Sequence, residues 1–219
     1  MLVVVIALVV AALLRAFVVQ AYVVPTGSME NTIGTNQRIL VQKFGSVHRG
    51  EVVVFTDPGG WITAAEKSPG RGPLGQALEF IGILPSTANN HLVKRVIGLP
   101  GDHVRCCDQH GRVTVNNHAL AEASYVFPGN APSAERFDVV VPKGTMWVMG
   151  DHRADSGDSR CHLVDGTAFV PLSSVTGRAL AVVWPLDVAH WLSIPSTFDA
   201  VPDPGPPPDK SVVRRVSRC

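Results

Sequence analysis

Apolar positions are laid out along this chain in two ways. Residues 2–14 form one continuous apolar run of about thirteen residues, whereas beyond residue 37 the apolar positions come in short valine-rich bursts divided by Gly, Pro, Asn and Asp. The bursts at 38–43, 51–56, 91–97, 103–106, 112–115, 137–141, 145–149 and 177–183 read as strands, because each is short, β-branched and bounded by turn formers. Asn116-Asn117 follows Val113-Thr114-Val115 and predicts a hairpin turn, since Asn tolerates the left-handed backbone that a two-residue turn needs. The fold class is therefore mainly β and antiparallel. Residues 57–90 break the pattern with Gly59, Gly60, Pro69, Gly70, Gly72 and Pro73, and read as a variable insertion holding a short apolar helix over 74–84. Residues 180–184 read as the last strand. The apolar stretch 179–194 is broken by Pro185, Asp187 and His190 and is too interrupted to span a bilayer. Residues 196–219, with Pro202-Asp203-Pro204-Gly205-Pro206-Pro207-Pro208, read as a Pro-rich disordered tail.

The first run admits three readings: a membrane anchor over 1–19, a cleaved secretory signal, or a buried helix. It is shorter than the roughly twenty residues that cross a bilayer unless Arg15 snorkels and the segment continues to Val19. Val19-Gln20-Ala21 has the look of a cleavage site, but no cation precedes the run as a secretory signal requires. Arg15 lies after it, so the distribution of positive charge does not orient an anchor.

At 219 residues the chain has room for one sizeable core, and its net charge of +1 is spread without any basic run. That argues against a nucleic-acid partner. A phosphate-cradling Gly-rich loop is also missing from the sequence.

Chemistry gathers in three segments. Ser28, in Pro25-Thr26-Gly27-Ser28-Met29-Glu30-Asn31-Thr32-Ile33, sits in a tight turn where a hydroxyl can project and a neighbouring N–H can face a carbonyl. A serine there is also an ordinary turn former. Lys94 lies in the strand-like run 91–97, with Leu92 and Val96 on its own face. Apolar surroundings disfavour the ammonium, so such a lysine can serve as a base; the alternative is an amine that snorkels to water. The third segment, Gly150 to Arg160, follows the apolar strand 145–149 and packs Asp151, Arg153, Asp155, Ser156, Asp158 and Arg160 into one loop. It fails the EF-hand pattern, with Arg153 at the third position, Ser156 in place of the glycine and His162 in place of the final glutamate. The composition suits a hydrogen-bonded network that orients a catalytic group.

In order and chemistry, the Ser28 segment, the strand Arg49-Gly50-Glu51-Val52-Val53-Val54-Phe55, the Lys94 segment through Gly101-Asp102 and the Gly150 to Arg160 loop resemble the bacterial type I signal peptidases. The resemblance runs from about Val18 to about Trp184. It implies a coiled antiparallel β-sheet catalytic domain over 20–195, behind one N-terminal transmembrane helix, uncleaved, with the domain on the extracytoplasmic side of the cell membrane. It implies Ser28 as nucleophile, Lys94 as general base and Thr26 with the Ser28 N–H as oxyanion donors. Ser156 would orient the lysine, and Asp151, Arg153, Asp158 and Arg160 would support the loop. Tyr22, Val24, Met29, Ile33, Leu92 and Val93 would line the substrate pockets, although each reads equally as core. No metal or organic cofactor is implied. The implied partners are secretory preproteins cut after small residues of the A-x-A kind, the lipid bilayer and, by proximity, the secretion translocon. Two departures stand near the nucleophile: Thr26 where the family often has Ser, and Asn31 where it often has Pro. His152 replaces a commoner Asn and reads as structural.

Four cysteines fit an oxidising compartment. Neighbouring residues on a strand point to opposite faces, so at most one of Cys106 and Cys107 is placed to reach Cys161, and Cys219 reads as free in the tail. A zinc site lacks C-x-x-C spacing. Two rivals to the protease reading are an inactive membrane-anchored β binding module of the same fold and a self-cleaving serine–lysine regulator. The second usually carries a DNA-binding domain ahead of the protease part, whereas the segment ahead of Ser28 here reads as membrane-like.

Overall fold

The computed structural model describes residues 18–62 and 90–216, together with Ile6, Gly72 and Gly75. The expected anchor and the helix over 74–84 thus lie almost wholly outside the described residues, as does Cys219. Among the described residues no helix is long and apolar enough to cross a membrane.

Among the described residues thirteen strands form: β1 (Val19–Val23), β2 (Arg38–Gln42), β3 (Val52–Thr56), β4 (His91–Gly98), β5 (His103–Cys106), β6 (Val113–Val115), β7 (His118–Ala119), β8 (Phe137–Val140), β9 (Thr145–Met149), β10 (Val170–Pro171), β11 (Val175–Trp184), β12 (His190–Trp191) and β13 (Val212–Val216). They build two antiparallel sheets. The larger runs β1-β2-β11-β3-β4-β9-β10, with β12 pairing β11, and the smaller runs β13-β8-β5-β6-β7. All eight strands expected from the apolar pattern form within a few residues of their predicted ends. The other five have weak cues: β1 reads as the end of the apolar run, β7, β10 and β12 have two residues each, and β13 follows the Pro-rich stretch.

β4 lies inside the larger sheet with β3 and β9 on either side. Both of its faces are covered. Val93 joins Tyr22, Val24, Met29, Ile33, Ile39, Val41 and Val54 in one apolar cluster, while Val96 joins Val53, Phe55, Trp61, Met146 and Val148 in another. The first cluster spans β1, β2, β11, β3 and β4, so the sheet curls and brings the end of β1 over β4. A strand buried on both faces reads as a near-continuous apolar run, and whatever polar residue it carries is forced out of water. Lys94 and Arg95 are those residues, at 3% and 2% exposure.

The junction between the two sheets is fastened by Asp102, which is fully buried. Its carboxylate accepts two bonds of 2.7 Å from the Arg49 guanidinium, one from the Leu99 N–H and one from Asn116 Nδ2. Asn116 and Asn117 have φ of 51° and 66° and close the β6–β7 hairpin, pairing Val115 with His118, as the Asn-Asn signal predicts. Both residues in αL are what a type I′ turn demands.

The disordered tail expected over 196–219 needs correction. Ser196–Phe198 forms a 3-10 turn, Phe198 and Val201 are buried against Tyr125 and Leu120 in the core of the smaller sheet, and β13 pairs with β8. Proline-rich composition hid a segment that is held at both ends: by buried Phe198 and Val201 before the prolines, and by the backbone pairing of β13 with β8 after them. The cysteine expectation is also overturned. Cys106 and Cys107 are bonded to each other, and Cys161 is disulfide-bonded without either of them.

Phe198→Ala is therefore expected to lower unfolding stability by about 3–5 kcal/mol in urea titrations, as for a large core side chain. A loss under 1 kcal/mol would return the tail to the disordered reading.

Candidate active site

Strand register assembles the site. On β4, Arg95 pairs with Met149, the last residue of β9, so the loop that begins at Gly150 emerges beside Lys94. From the other side, β1 runs through Val24 and Pro25 into the 3-10 turn Gly27–Met29, which carries Ser28. Lys94 Nζ lies 2.6 Å from Ser28 Oγ, and the two groups are 66 positions apart in sequence. Ser28 is 7% exposed. Thr26, extended at φ −117° and ψ 157°, places Oγ1 3.4 Å from Ser28 Oγ on the open side of the turn.

The loop holds the dyad from behind. The Ser28 carbonyl accepts a bond from the His152 N–H at 3.1 Å. Gly150 sits where a Cβ would lie 2.5 Å from that same carbonyl and 2.3 Å from Ser156 Oγ, so only a residue without a side chain lets the two serine segments close on each other. Ser156 donates its hydroxyl to Asp158 Oδ2 at 2.8 Å, which leaves its oxygen as an acceptor toward the cavity that Lys94 also lines. Asp158 is fully buried and is gripped by the guanidinium of Arg160 through two bonds of 2.8 Å, while the Gly150 N–H donates at 2.9 Å. Burial pushes its carboxyl up, but the Arg160 charge and hydrogen bonds and the Gly150 N–H outweigh this and hold it below the ordinary carboxylate range.

The remaining loop charges are paired differently from a single closed box. Asp151 pairs with Arg95, Nε to Oδ1 at 2.8 Å and the other arm to Oδ2 at 2.6 Å, and also accepts from the Thr32 hydroxyl. Arg153 pairs with Glu122, donates to the Gly150 carbonyl at 2.9 Å and to the Pro132 carbonyl. Burial works against its charge, but Glu122 more than compensates and its guanidinium stays protonated throughout. Tyr125 lies between the two arginines, 4.6 Å beneath Arg95 and 5.8 Å from Arg153, and donates its hydroxyl to Glu122 at 2.7 Å. Arg95, Glu122, Tyr125 and Thr32 are site-supporting residues that the sequence does not single out. Arg95 was signalled only by standing beside Lys94 in a strand too apolar to leave a guanidinium unpaired.

Beside the dyad lies an open cavity of about 750 Å³. Of the residues expected in its pockets, Val24, Leu92 and Val93 line it, along with Trp61, Ile62 and His91. Tyr22, Met29 and Ile33 do not line it; they are buried in the cluster beneath, at 3%, 0% and 0% exposure. Alternation explains the difference, since residues that flank a nucleophile turn on a curled sheet face its concave core as readily as its rim. Asn31 takes φ of 85°, a backbone closed to proline, and its amide donates to the Val126 carbonyl at 3.3 Å. The His152 ring stacks on Phe127 at 4.1 Å with Nδ1 3.5 Å from Glu30, away from the dyad.

The sequence model of the family described as "Signal peptidase, peptidase S26" matches residues 1–184. Signal peptidase I of Mycobacterium tuberculosis (strain ATCC 25618 / H37Rv) is 36% identical over 211 residues, covering 83% of this chain and 70% of that protein. Signal peptidase I of Bacillus licheniformis is 30% identical over 197 residues, covering 84% of this chain and 87% of that protein. A crystal structure of a signal peptidase I from Enterococcus faecalis V583 aligns with 62% of this chain and 97% of its own at a TM-score of 0.39 and 23% identity.

Removal of the Asp158 carboxylate leaves Arg160 buried without its partner. Asp158→Ala is expected to cost about 3–5 kcal/mol of stability at neutral pH. Because the folded carboxyl is held below its unfolded value, that contribution is complete above the unfolded value near 4 and is lost as pH falls through the lower folded one. The stability gap between wild type and variant, measured by urea denaturation across pH, should stay level down to about pH 4 and narrow only below it. A gap that narrows at pH 6 would show that another group carries it.

Proposed function

Since the chain belongs to the signal peptidase I family of peptidases S26, serine endopeptidases that remove signal peptides, we propose that its reaction is carried by Ser28 as nucleophile and Lys94 as general base. The observation that carries this is the 2.6 Å contact of a buried amine with a buried hydroxyl. As drawn, Nζ donates to Oγ; an amine in its neutral form accepts along the same line. Burial among apolar side chains favours that form by penalising the ammonium.

Ser28 Oγ attacks the scissile carbonyl while its proton passes to Lys94 Nζ. The oxyanion that forms is met by the Ser28 N–H and the Thr26 hydroxyl, a role supported by the 3.4 Å distance between Thr26 Oγ1 and Ser28 Oγ. Collapse expels the mature protein's amine, which takes the proton from Lys94, and the signal peptide remains as an ester on Ser28. Lys94 then draws a proton from water as its oxygen attacks the ester; the bond to Ser28 Oγ breaks, Lys94 returns the proton to Oγ, and the signal peptide leaves with a new carboxyl group. Ser156, anchored by Asp158, holds the lysine in line. The Asp158–Arg160 and Asp151–Arg95 pairs fix the loop against β4, so the amine does not swing away from Oγ.

The substrate lies extended along β4 and the end of β1, offering alternate side chains to the wall at Val24, Leu92 and Val93. This wall supports small residues at the cleavage site, of the A-x-A kind. The 1–19 run serves as membrane anchor, with the catalytic domain on the extracytoplasmic side where preproteins emerge, close to the translocon. The inactive binding-module reading has no use for an amine held against a hydroxyl in the dry interior of a sheet.

The test is cleavage of a secretory precursor with an Ala-x-Ala site by the full chain in detergent. Wild type should cut after the site, and Ser28→Ala should lose about 10³-fold or more in kcat/KM. Precursor left whole by folded wild-type protein would contradict the proposal. Thr26→Ala should lose about 10- to 10³-fold in kcat with KM little changed, and Thr26→Ser should keep most of the rate. An unchanged rate in Thr26→Ala would remove Thr26 from the oxyanion site.

A further inference from the structure

One polar side chain in the cavity wall is not used by the mechanism. His91 opens β4, three residues before Lys94, and its ring borders the same cavity as the dyad. The charged side chains buried in this wall are already engaged: Lys94 with Ser28, Arg153 with Glu122, and Arg160 with Asp158. His91 is different. Among the described residues its ring nitrogens have no hydrogen-bond partner, and its ring stands against that of Tyr22 at a centroid distance of 5.4 Å. Desolvation lowers its pKa from the ordinary histidine value, which keeps the ring neutral near pH 7, with one nitrogen a donor and the other an acceptor.

Its register along the substrate follows from strand geometry. On β4, Val93 and His91 share one face, and so do Tyr22 on β1 and Val24 just past its end. Val93 and Val24 stand next to the dyad, and His91 and Tyr22 stand one step farther out, about 7 Å along an extended strand. An extended substrate has the same two-residue repeat. If the residue before the scissile bond, position −1, meets Val24 and Val93, the side chain at −3 meets His91.

Resting on the signal peptidase reading above, we propose that His91 is a specificity-determining residue for position −3, where its imidazole hydrogen-bonds a small hydroxyl side chain. A substrate docked over this wall takes the place of solvent at the ring. Alanine at −3 then leaves a buried imidazole nitrogen unpaired, which is costly, whereas serine at −3 satisfies it. A small apolar pocket alone would treat the two residues nearly alike; the histidine makes the site favour the hydroxyl.

The test compares precursors that differ only in Ser or Ala at −3, cut by the full chain in detergent as wild type, His91→Phe and His91→Gln. The readout is the ratio of kcat/KM for Ser over Ala. This ratio should fall about tenfold in His91→Phe, which keeps the flat ring and loses the nitrogens. It should be largely retained in His91→Gln, which keeps a donor and an acceptor. Cutting of the Ala precursor by each variant reports its fold. An equal ratio in wild type and His91→Phe overturns the proposal, as does an equal fall in His91→Gln, which would mark a ring-packing role. Should wild type cut neither precursor, or Ser28→Ala cut both, the signal peptidase reading itself fails, an outcome separate from a ratio that does not move.

Discussion

An amine that must act as a base at neutral pH has to be kept out of water and yet within reach of the hydroxyl it serves, and the architecture follows from that constraint. Lysine is costly to bury, so the strand that carries Lys94 is placed inside the larger sheet, covered by apolar clusters on both faces. Curling of that sheet closes the distance between β1 and β4, and the Ser28 turn completes the pair at 2.6 Å. Each feature alone is ordinary. Together they bring two side chains far apart in sequence into the contact that the proposed dyad requires.

Rigidity comes from a second set of buried charges. Asp158 with Arg160, Asp151 with Arg95 and Glu122 with Arg153 are ion pairs almost free of solvent. Such pairs contribute little net stability against an apolar alternative, because desolvation offsets their attraction. Their value lies in geometry: each has one arrangement that satisfies its hydrogen bonds, and the three share the loop from Gly150 to Arg160 and its neighbours. Tyr125 between the two arginines links the Arg95 and Arg153 pairs. Gly150 sets the closeness of approach, because any side chain there would force Ser156 and the Ser28 turn apart.

Much of this was legible in the sequence. Valine-rich bursts between turn formers located the main strands, and the Ser28, Lys94 and Gly150 to Arg160 segments converge around one cavity. What was hidden depended on tertiary partners. Arg95 looks like any strand arginine until Asp151 is seen opposite, and Glu122 lies in a stretch without periodicity. Tyr22, Met29 and Ile33 could be pocket or core, and only the direction of curl sends them inward. Phe198 and the β13 valines flank a proline-rich stretch whose composition suggests disorder, and the neighbouring sheet alone reveals their place. Adjacent cysteines on a regular strand point apart, which directed attention to Cys161; that regularity ends at Cys106, the last residue of β5, and Cys106 bonds Cys107.

The central claim is that Ser28 and Lys94 work as one unit. The most direct measurement is kcat/KM for precursor cleavage in Ser28→Ala, Lys94→Ala and the double variant. Groups that act together are non-additive, so the double variant should be no slower than the worse of the two single ones. Losses that multiply in the double variant would mean that the two residues act independently, and the 2.6 Å contact would then be structural only.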